Sequence, residues 1–274
     1  SRKYDNFFPS LALSFPLGKV QMQLAYRASI KRPSYWDLRG NTTYANRYTY
    51  EMGNPLLQPT TIQSLSLNTI YRWMSLSLSY NHYKNDYTSY VRAYSEENPT
   101  IGLLTREHIA PYNRLSASLT LSPVIGKWSP RWGVQVQRYD CKVDTPRGVE
   151  TFDNPRAILS WRNTVKFTDS FWINADAYYQ TKSQIDNTEY LENSWYMNLN
   201  LYKGFLNNRM SLQLQVTDLF NTRKSHVLLY SGLRTMELDN EMHRTVSLTF
   251  RYKFNPTKSK YKGTGAGQSQ KARM

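Results

Sequence analysis

The chain has 274 residues, with 35 Lys and Arg against 20 Asp and Glu, a formal net charge of +15 and a single cysteine. Its 22 Tyr, 7 Trp and 10 Phe argue against disorder, although the mean hydropathy is only −0.65. One cysteine excludes an intrachain disulfide and a Cys-rich zinc site; the absence of any run of about 18 apolar residues excludes a transmembrane helix but not a β-barrel, whose strands are half polar.

The chain opens on Ser1-Arg2-Lys3-Tyr4 and shows no charged n-region, apolar h-region or cleavage site, so the expectation is a processed or partial chain. A first strand is expected near Phe8–Phe15. From Val20 to Ile30 every even position is apolar, opposite Gln21, Gln23, Arg27 and Ser29. On a strand this makes one apolar and one polar face. The same pattern returns at Leu65-Leu67-Tyr71-Trp73, at Met74-Leu76-Leu78-Tyr80 and at Leu115-Ala117-Leu119-Leu121. It continues through Trp132-Val134-Val136, Ala157-Leu159-Trp161-Val165-Phe167 and Phe171-Ile173-Ala175-Ala177-Tyr179. Trp195-Met197-Leu199-Leu201, Met210-Leu212-Leu214-Val216 and Val246-Leu248-Phe250-Tyr252-Phe254 complete the series. No helical period competes over a comparable length. The chain is all-β and antiparallel, with about eleven strands.

Alternation alone also suits a soluble sandwich. Two features favour a transmembrane barrel. Short turns near 16–19, 72–74, 124–127, 168–170 and 203–208 alternate with long polar stretches at 31–60, 84–110, 140–156, 182–190 and 222–242, as periplasmic turns alternate with extracellular loops. Trp73, Trp128, Trp132, Phe167, Phe171 and Trp172 gather beside the short turns, where an aromatic girdle would lie. Bacterial single-chain barrels have even strand numbers, so an odd count predicts the C-terminal part of a larger barrel. The expected organisation is a barrel portion over 1–254 and a basic, flexible periplasmic tail over 255–274.

Five segments then carry a resemblance. Gly53-Asn54-Pro55-Leu56-Leu57-Gln58-Pro59-Thr60 resembles the GNP-x-L-x-P-E signature of TonB-dependent outer-membrane transporters, with Thr60 at the acidic position. Val216-Thr217-Asp218-Leu219-Phe220-Asn221 resembles their V-x-N-L-F motif, and Ser29–Tyr35 resembles the run entering the loop before GNP. Leu248–Phe254 is similar to the closing strand such barrels present to the insertion machinery, and Ser259–Gly267 to an extension on Bacteroidetes members. The resemblance implies the C-terminal half of a 22-stranded barrel in the outer membrane of a Gram-negative, Bacteroidetes-like cell. Implied partners are outer-membrane lipid, an N-terminal barrel half with a plug domain, the TonB complex through that N-terminal region, and the barrel-insertion machinery. No stretch here corresponds to a plug or TonB box.

Catalytic chemistry is not indicated. No Rossmann signature, P-loop or HExxH occurs, and His82, His108, His226 and His243 lack i, i+4 spacing. Neither His82 near Asp86 nor His226 after Ser225 completes a triad. The expectations are no enzyme, no metal, no cofactor, and an inert loop thiol at Cys141. The basic charge does not argue for nucleic acid, because Arg27, Arg114, Arg156 and Arg162 fall on polar strand faces, as a barrel lumen requires, and Lys258, Lys260, Lys262, Lys271 and Arg273 fall in the tail. Ligand contacts are therefore expected from lumen residues Arg27, Arg114, Arg156 and Arg162, which could equally pair with plug carboxylates. Tyr44, Tyr48 and Tyr50, on the even side of the 31–60 loop, join them; amphipathic aromatics at a pore mouth could grip a glycan, peptide or metal chelate. Tyr80, Tyr83, Tyr87, Tyr90 and Tyr94 are expected along one rising strand. The functional alternatives are a plug-gated receptor, a passive or surface-binding barrel, and a soluble β-sheet binding module.

Overall fold

Period-two alternation leaves a chain one economical solution, a sheet with unlike faces, and the computed structural model adopts it; residues 7–232 and 234–254 are described. β1 (Ser10–Leu17) and β2 (Val20–Lys31) meet at a tight turn where Gly18 takes a φ of 62°, a conformation that favours glycine. A one-turn helix α1 (Tyr35–Leu38) and the hairpin β3 (Thr43–Asn46) and β4 (Thr49–Glu51) follow. β5 (Thr60–Tyr71) and β6 (Met74–Lys84) lead to a second excursion, β7 (Tyr87–Ala93) and β8 (Gly102–His108). After β9 (Tyr112–Leu121) and β10 (Trp128–Tyr139) comes the hairpin β11 (Cys141–Thr145) and β12 (Gly148–Phe152). β13 (Arg156–Thr168) and β14 (Phe171–Gln180) precede the short β15 (Ser183–Ile185) and β16 (Thr188–Tyr190). β17 (Ser194–Phe205) and β18 (Met210–Thr217) lead into β19 (Lys224–Ser231) and β20 (Arg234–Glu241), and β21 (Thr245–Tyr252) closes the described fold.

Eleven of these strands form one antiparallel sheet in the order β1-β2-β5-β6-β9-β10-β13-β14-β17-β18-β21. Each neighbour in this wall is the next wall strand in sequence, so the wall is an up-and-down meander. It does not close, leaving β1 and β21 as edges. No helix is long and apolar enough to cross a membrane, a statement that leaves strands untouched.

Register converts alternation into two continuous surfaces. Leu24 pairs with Leu67, Leu67 with Leu78 and Leu78 with Ala117; Leu201 pairs with Leu214 and Leu214 with Leu248. This surface stays open to the surroundings, with Leu24 40%, Leu65 46%, Leu159 45% and Leu248 69% exposed. The opposite surface is polar and bonded across strands: Ser64 donates to Asn81 and Ser77 to Asn68, both at 2.7 Å, and Gln213 to Asn200 at 3.1 Å.

The aromatic girdle is largely where expected. Trp128 meets Trp132 edge to face at 5.9 Å, and Phe167 stacks on Phe171 at 5.0 Å, both beside short turns. Trp172 departs from the expectation. It pairs with Lys166 on the polar surface and stacks on Tyr202 at 5.2 Å, because its even position shares the face of Asn174 and Asp176.

The long connections, read from the sequence as polar stretches, are themselves folded. They contain ten strands and one helix among the described residues. The tyrosine series does not rise on one strand: Tyr80 and Tyr83 occupy opposite faces of β6, Tyr87 and Tyr90 belong to β7, and Tyr94 lies beyond it. The chain breaks direction at Asn85, whose φ is 58°. The proposed 255–274 tail lies outside the described residues.

Candidate functional site

All five long connections rise from the same end of the wall and assemble into a cap. β3-β4-β8-β7 form one sheet, with β4 and β8 parallel; β15-β16-β19-β20 form another, and β11-β12 stand as a hairpin. Their side chains meet in a core of Tyr112, Tyr139, Cys141, Val143, Phe152 and Tyr230. Phe152 is fully buried, its ring edge-to-face with Tyr230 at 5.4 Å, and Tyr83 stacks on Tyr112 at 4.8 Å. Cys141 lies within β11 in this core. Burial, reinforced by Asp186 and Asp140, pushes its thiol up to about 12, so it stays protonated and unreactive at neutral pH.

The recognisable motifs form the joints between wall and cap. Ser34 and Asp37 make a reciprocal capping box at α1. Asp37 also accepts from Arg106 Nε at 3.0 Å and the Tyr87 hydroxyl at 3.2 Å. Burial opposes its ionisation, but the Ser34 and Arg106 hydrogen bonds prevail and hold the carboxyl below its ordinary range. Gly53 passes so close that a Cβ would stand 2.6 Å from the Asp37 carbonyl oxygen, while the Asn54 side chain donates to the Arg106 carbonyl at 2.9 Å. Thr60 is fully buried, with its hydroxyl 3.2 Å from an Asp86 carboxylate oxygen. At the far joint, Asp218 accepts the N–H groups of Thr222 at 3.0 Å and Arg223 at 2.9 Å. These bonds outweigh the cost of burial and keep its carboxyl below the ordinary range.

Histidine roles follow from partners. The Gln58 N–H donates to His108 Nε2 at 3.0 Å, while Nδ1 faces the Asn85 carbonyl at 3.1 Å. Both ring nitrogens are thus engaged by backbone groups at the joint between β5, β6 and β8. His82 contacts Asn113 rather than Asp86. His226 lies 2.6 Å from Glu237 through Nε2 and 3.9 Å from Asp239 through Nδ1. This is the one His-carboxylate triple found among the described residues. Its carboxylates approach opposite ring nitrogens, so the imidazole bridges them rather than sharing one metal-sized point with both.

The sequence-selected residues divide between two places. Arg27, Ser64, Asn81, Arg114 and Tyr139 form one cross-strand row high on the polar face. Arg27 is exposed there, whereas Arg114 lies over the Tyr83 ring at 5.3 Å. Arg156 starts β13, donates to Gln180 at 2.6 Å and stacks over Tyr190 at 5.3 Å. Arg162 sits deeper, opposite Arg131 and 3.4 Å from Asp176. Tyr44 and Tyr50 pair edge to face at 5.8 Å in the outer cap, and Tyr94 stacks on Tyr50 at 4.6 Å. Tyr48 occupies the β3–β4 turn beneath Arg47. The arginines and these tyrosines thus form no single cluster.

Sequence reasoning did not anticipate a cavity of about 410 Å³ inside the cap. β7, the end of β8, β11 and the β15–β16 turn supply its walls, including Asp86, Tyr87, Tyr90, Glu107, Asp144 and Asp186. The β19–β20 hairpin contributes Tyr230 and Gly232. That hairpin is pinned across the cap: Ser231 donates to the Ser89 carbonyl at 2.9 Å, and Arg234 donates to Thr49 at 3.0 Å and the Tyr48 carbonyl at 2.8 Å. The signals available in the sequence were isolated loop acids, whose convergence depends on contacts between distant segments.

An open meander with an apolar outer face, a polar inner face, an aromatic girdle at its short turns and a folded cap at its other end defines the wall of an outer-membrane β-barrel. Residues 1–252 match the model of the outer membrane protein beta-barrel family, and the chain belongs to that family. It is a protein of the outer membrane. Among curated proteins no sequence matches it.

Solved structures show the same architecture. A ferric enterobactin receptor, PfeA, from Pseudomonas aeruginosa in complex with enterobactin aligns with a TM-score of 0.55 at 19% identity, over 89% of this chain and 40% of that one. The siderophore receptor PirA from the same organism gives 0.58 at 15%, over 80% and 39%. PirA from Acinetobacter baumannii gives 0.55 at 13%, over 91% and 41%. The present chain therefore spans about 40% of the length of the receptors it matches, and at these identities the likeness is one of fold.

Proposed function

We propose that this chain is the C-terminal half of the barrel of a TonB-dependent receptor, and that the intact protein takes up a scarce solute under the control of an N-terminal plug. The observation that carries this reading is the direction of the sheet edges. With eleven strands alternating in direction, β1 and β21 run the same way, so they cannot complete the antiparallel meander by pairing with each other. Lipid also cannot satisfy unpaired strand edges. A complementary set of strands resolves both problems, and the 40% coverage of PfeA and PirA agrees with it.

The solute would be a glycan, peptide or metal chelate held by cap and lumen side chains. Arg27 and Arg114 face the mouth of the lumen, as candidates for ligand or for plug carboxylates. Arg156 and Arg162 are already engaged with Gln180 and Asp176, which favours positioning roles. Tyr44, Tyr48 and Tyr50 would offer outer contacts. The Leu248–Tyr252 end of β21 would engage the insertion machinery, and TonB would act through the plug. The host would be a Bacteroidetes-type Gram-negative cell.

The test is the mass of the native polypeptide in isolated outer membranes, detected with an antibody to residues 255–274. A band far above 32.2 kDa is expected. A membrane band at 32.2 kDa would overturn this proposal in favour of a passive or surface-binding barrel.

A further inference from the structure

The cap cavity has a charge opposite to that of the chain. Against a formal net charge of +15, its walls carry Asp86, Glu107, Asp144 and Asp186 but only Lys31 and Lys142. None of these four carboxylates forms an ion pair among the described residues. Asp86 is held in place by the Tyr112 hydroxyl at 2.8 Å and the Tyr87 N–H at 3.1 Å. Lys31 instead lies over the Tyr87 ring at 5.6 Å. Tyr87, Tyr90 and Tyr230 add aromatic walls, which favour an organic cation over an anion or a neutral solute. A volume of about 410 Å³ is in the range of small-molecule sites and far exceeds what one metal ion requires.

The roof is built for close contact. Gly232 lies so near β7 that a Cβ there would stand 2.6 Å from the Val91 carbonyl oxygen and 2.6 Å from the Tyr90 ring. Its φ of 63° further favours glycine. Ser231 and Gly232 are thereby held directly against β7 at the edge of the cavity.

We infer that this cavity is a binding site for a compact organic cation, an amine- or guanidinium-bearing solute, whose charge is met by Asp186 and Glu107 and whose body packs on the tyrosines. This deepens the receptor reading and rests on it. The experiment is isothermal titration of the full-length receptor in detergent with cadaverine and, as its uncharged counterpart, pentanediol. Cadaverine should bind at least about tenfold more tightly, and Asp186→Asn and Glu107→Gln should each remove much of that preference. Glu107→Gln provides the readout if Asp186→Asn perturbs the fold.

Equal binding of the two probes, or a preference that survives both substitutions together, overturns the inference. Complete displacement of cadaverine by magnesium chloride, but not by sodium chloride at the same ionic strength, would also overturn it by assigning the carboxylates to a metal ion. A high-mass receptor indifferent to cadaverine would keep the uptake role and lose only this ligand class. A 32.2 kDa membrane polypeptide that still prefers cadaverine would lose the plug and keep the site.

Discussion

The wall and the cap solve opposite problems with one chain. In the wall, Leu24, Leu65, Leu159 and Leu248 face outward while the interior surface carries Asn68, Ser77, Asn200 and Gln213 in cross-strand hydrogen bonds. In the cap, Phe152, Cys141, Tyr112 and Tyr230 turn inward and charged residues cover the outside, as with Arg147 and Glu150. The difference is one of solvent. Lipid rewards an apolar exterior and tolerates no unpaired backbone, whereas water drives apolar groups into a core. Both regions are built from β-strands, paired antiparallel except for β4 and β8 in the cap, so secondary structure alone does not tell them apart.

The largest expected effect strikes the cap alone. Phe152→Ala empties its most buried ring position and should cost about 3–5 kcal/mol of local stability. Hydrogen exchange should show faster exchange across β11 and β12 with unchanged protection in β13 and β14; uniform loss throughout would mean that wall and cap form one cooperative unit. Next comes a pair of substitutions that reads out which face meets lipid. Leu199→Arg, midway along β17 on the surface shared with Ala175 and Val216, should cost about 2–4 kcal/mol on folding of the full-length barrel into phospholipid vesicles. Gln215→Arg, on the other face beside Asn200 and Ser247, should change little. A reversed order in the urea titrations would invert the assignment of faces.

The smallest effect is a pH response at the joints. Asp37 and Asp218 have carboxyls held below the ordinary 3.8, so their stabilisation is complete above that value and is lost as pH falls through their lower folded-state values. Asp186 behaves in the opposite sense, since burial and then Asp86 raise its carboxyl. Its charge disfavours the folded cap at neutral pH, and acidification through its raised value relieves that cost. Amide protection in β16 should therefore rise on mild acidification in a manner abolished by Asp186→Asn. Protection near Thr222 and Arg223 should fall only below about pH 4. Loss near Thr222 already at pH 5 would contradict the hydrogen bonds assigned to Asp218.

The wall was legible in the sequence because facing is a local property there. Alternation along Val20–Ile30 or Met210–Val216 decides which side chains share a surface before any partner strand is known, and alternating short and long connections order those strands into a meander. Trp172 shows the limit of composition near a turn: its type suited the girdle, but its parity placed it on the polar face beside Tyr202. The cap was much less legible. Its strands run for as few as three residues, too short for a periodic pattern to emerge, so Tyr87 and Tyr90 looked like a continuation of β6.

What the sequence by itself determined, then, was an eleven-stranded wall with an apolar and a polar face, the end from which the long connections rise, and the resemblance of its motifs to an outer-membrane receptor. Only the tertiary structure decided how those connections pack: Cys141 beside Phe152 and Tyr230 in one core, Ser231 on Ser89, Arg234 on Tyr48, and four carboxylates around one cavity. The physical reason is separation along the chain. A strand's face follows from the next residue but one, whereas cap contacts such as Ser231 with Ser89 and Arg234 with Tyr48 join segments more than a hundred residues apart, and no local pattern encodes which of them will meet.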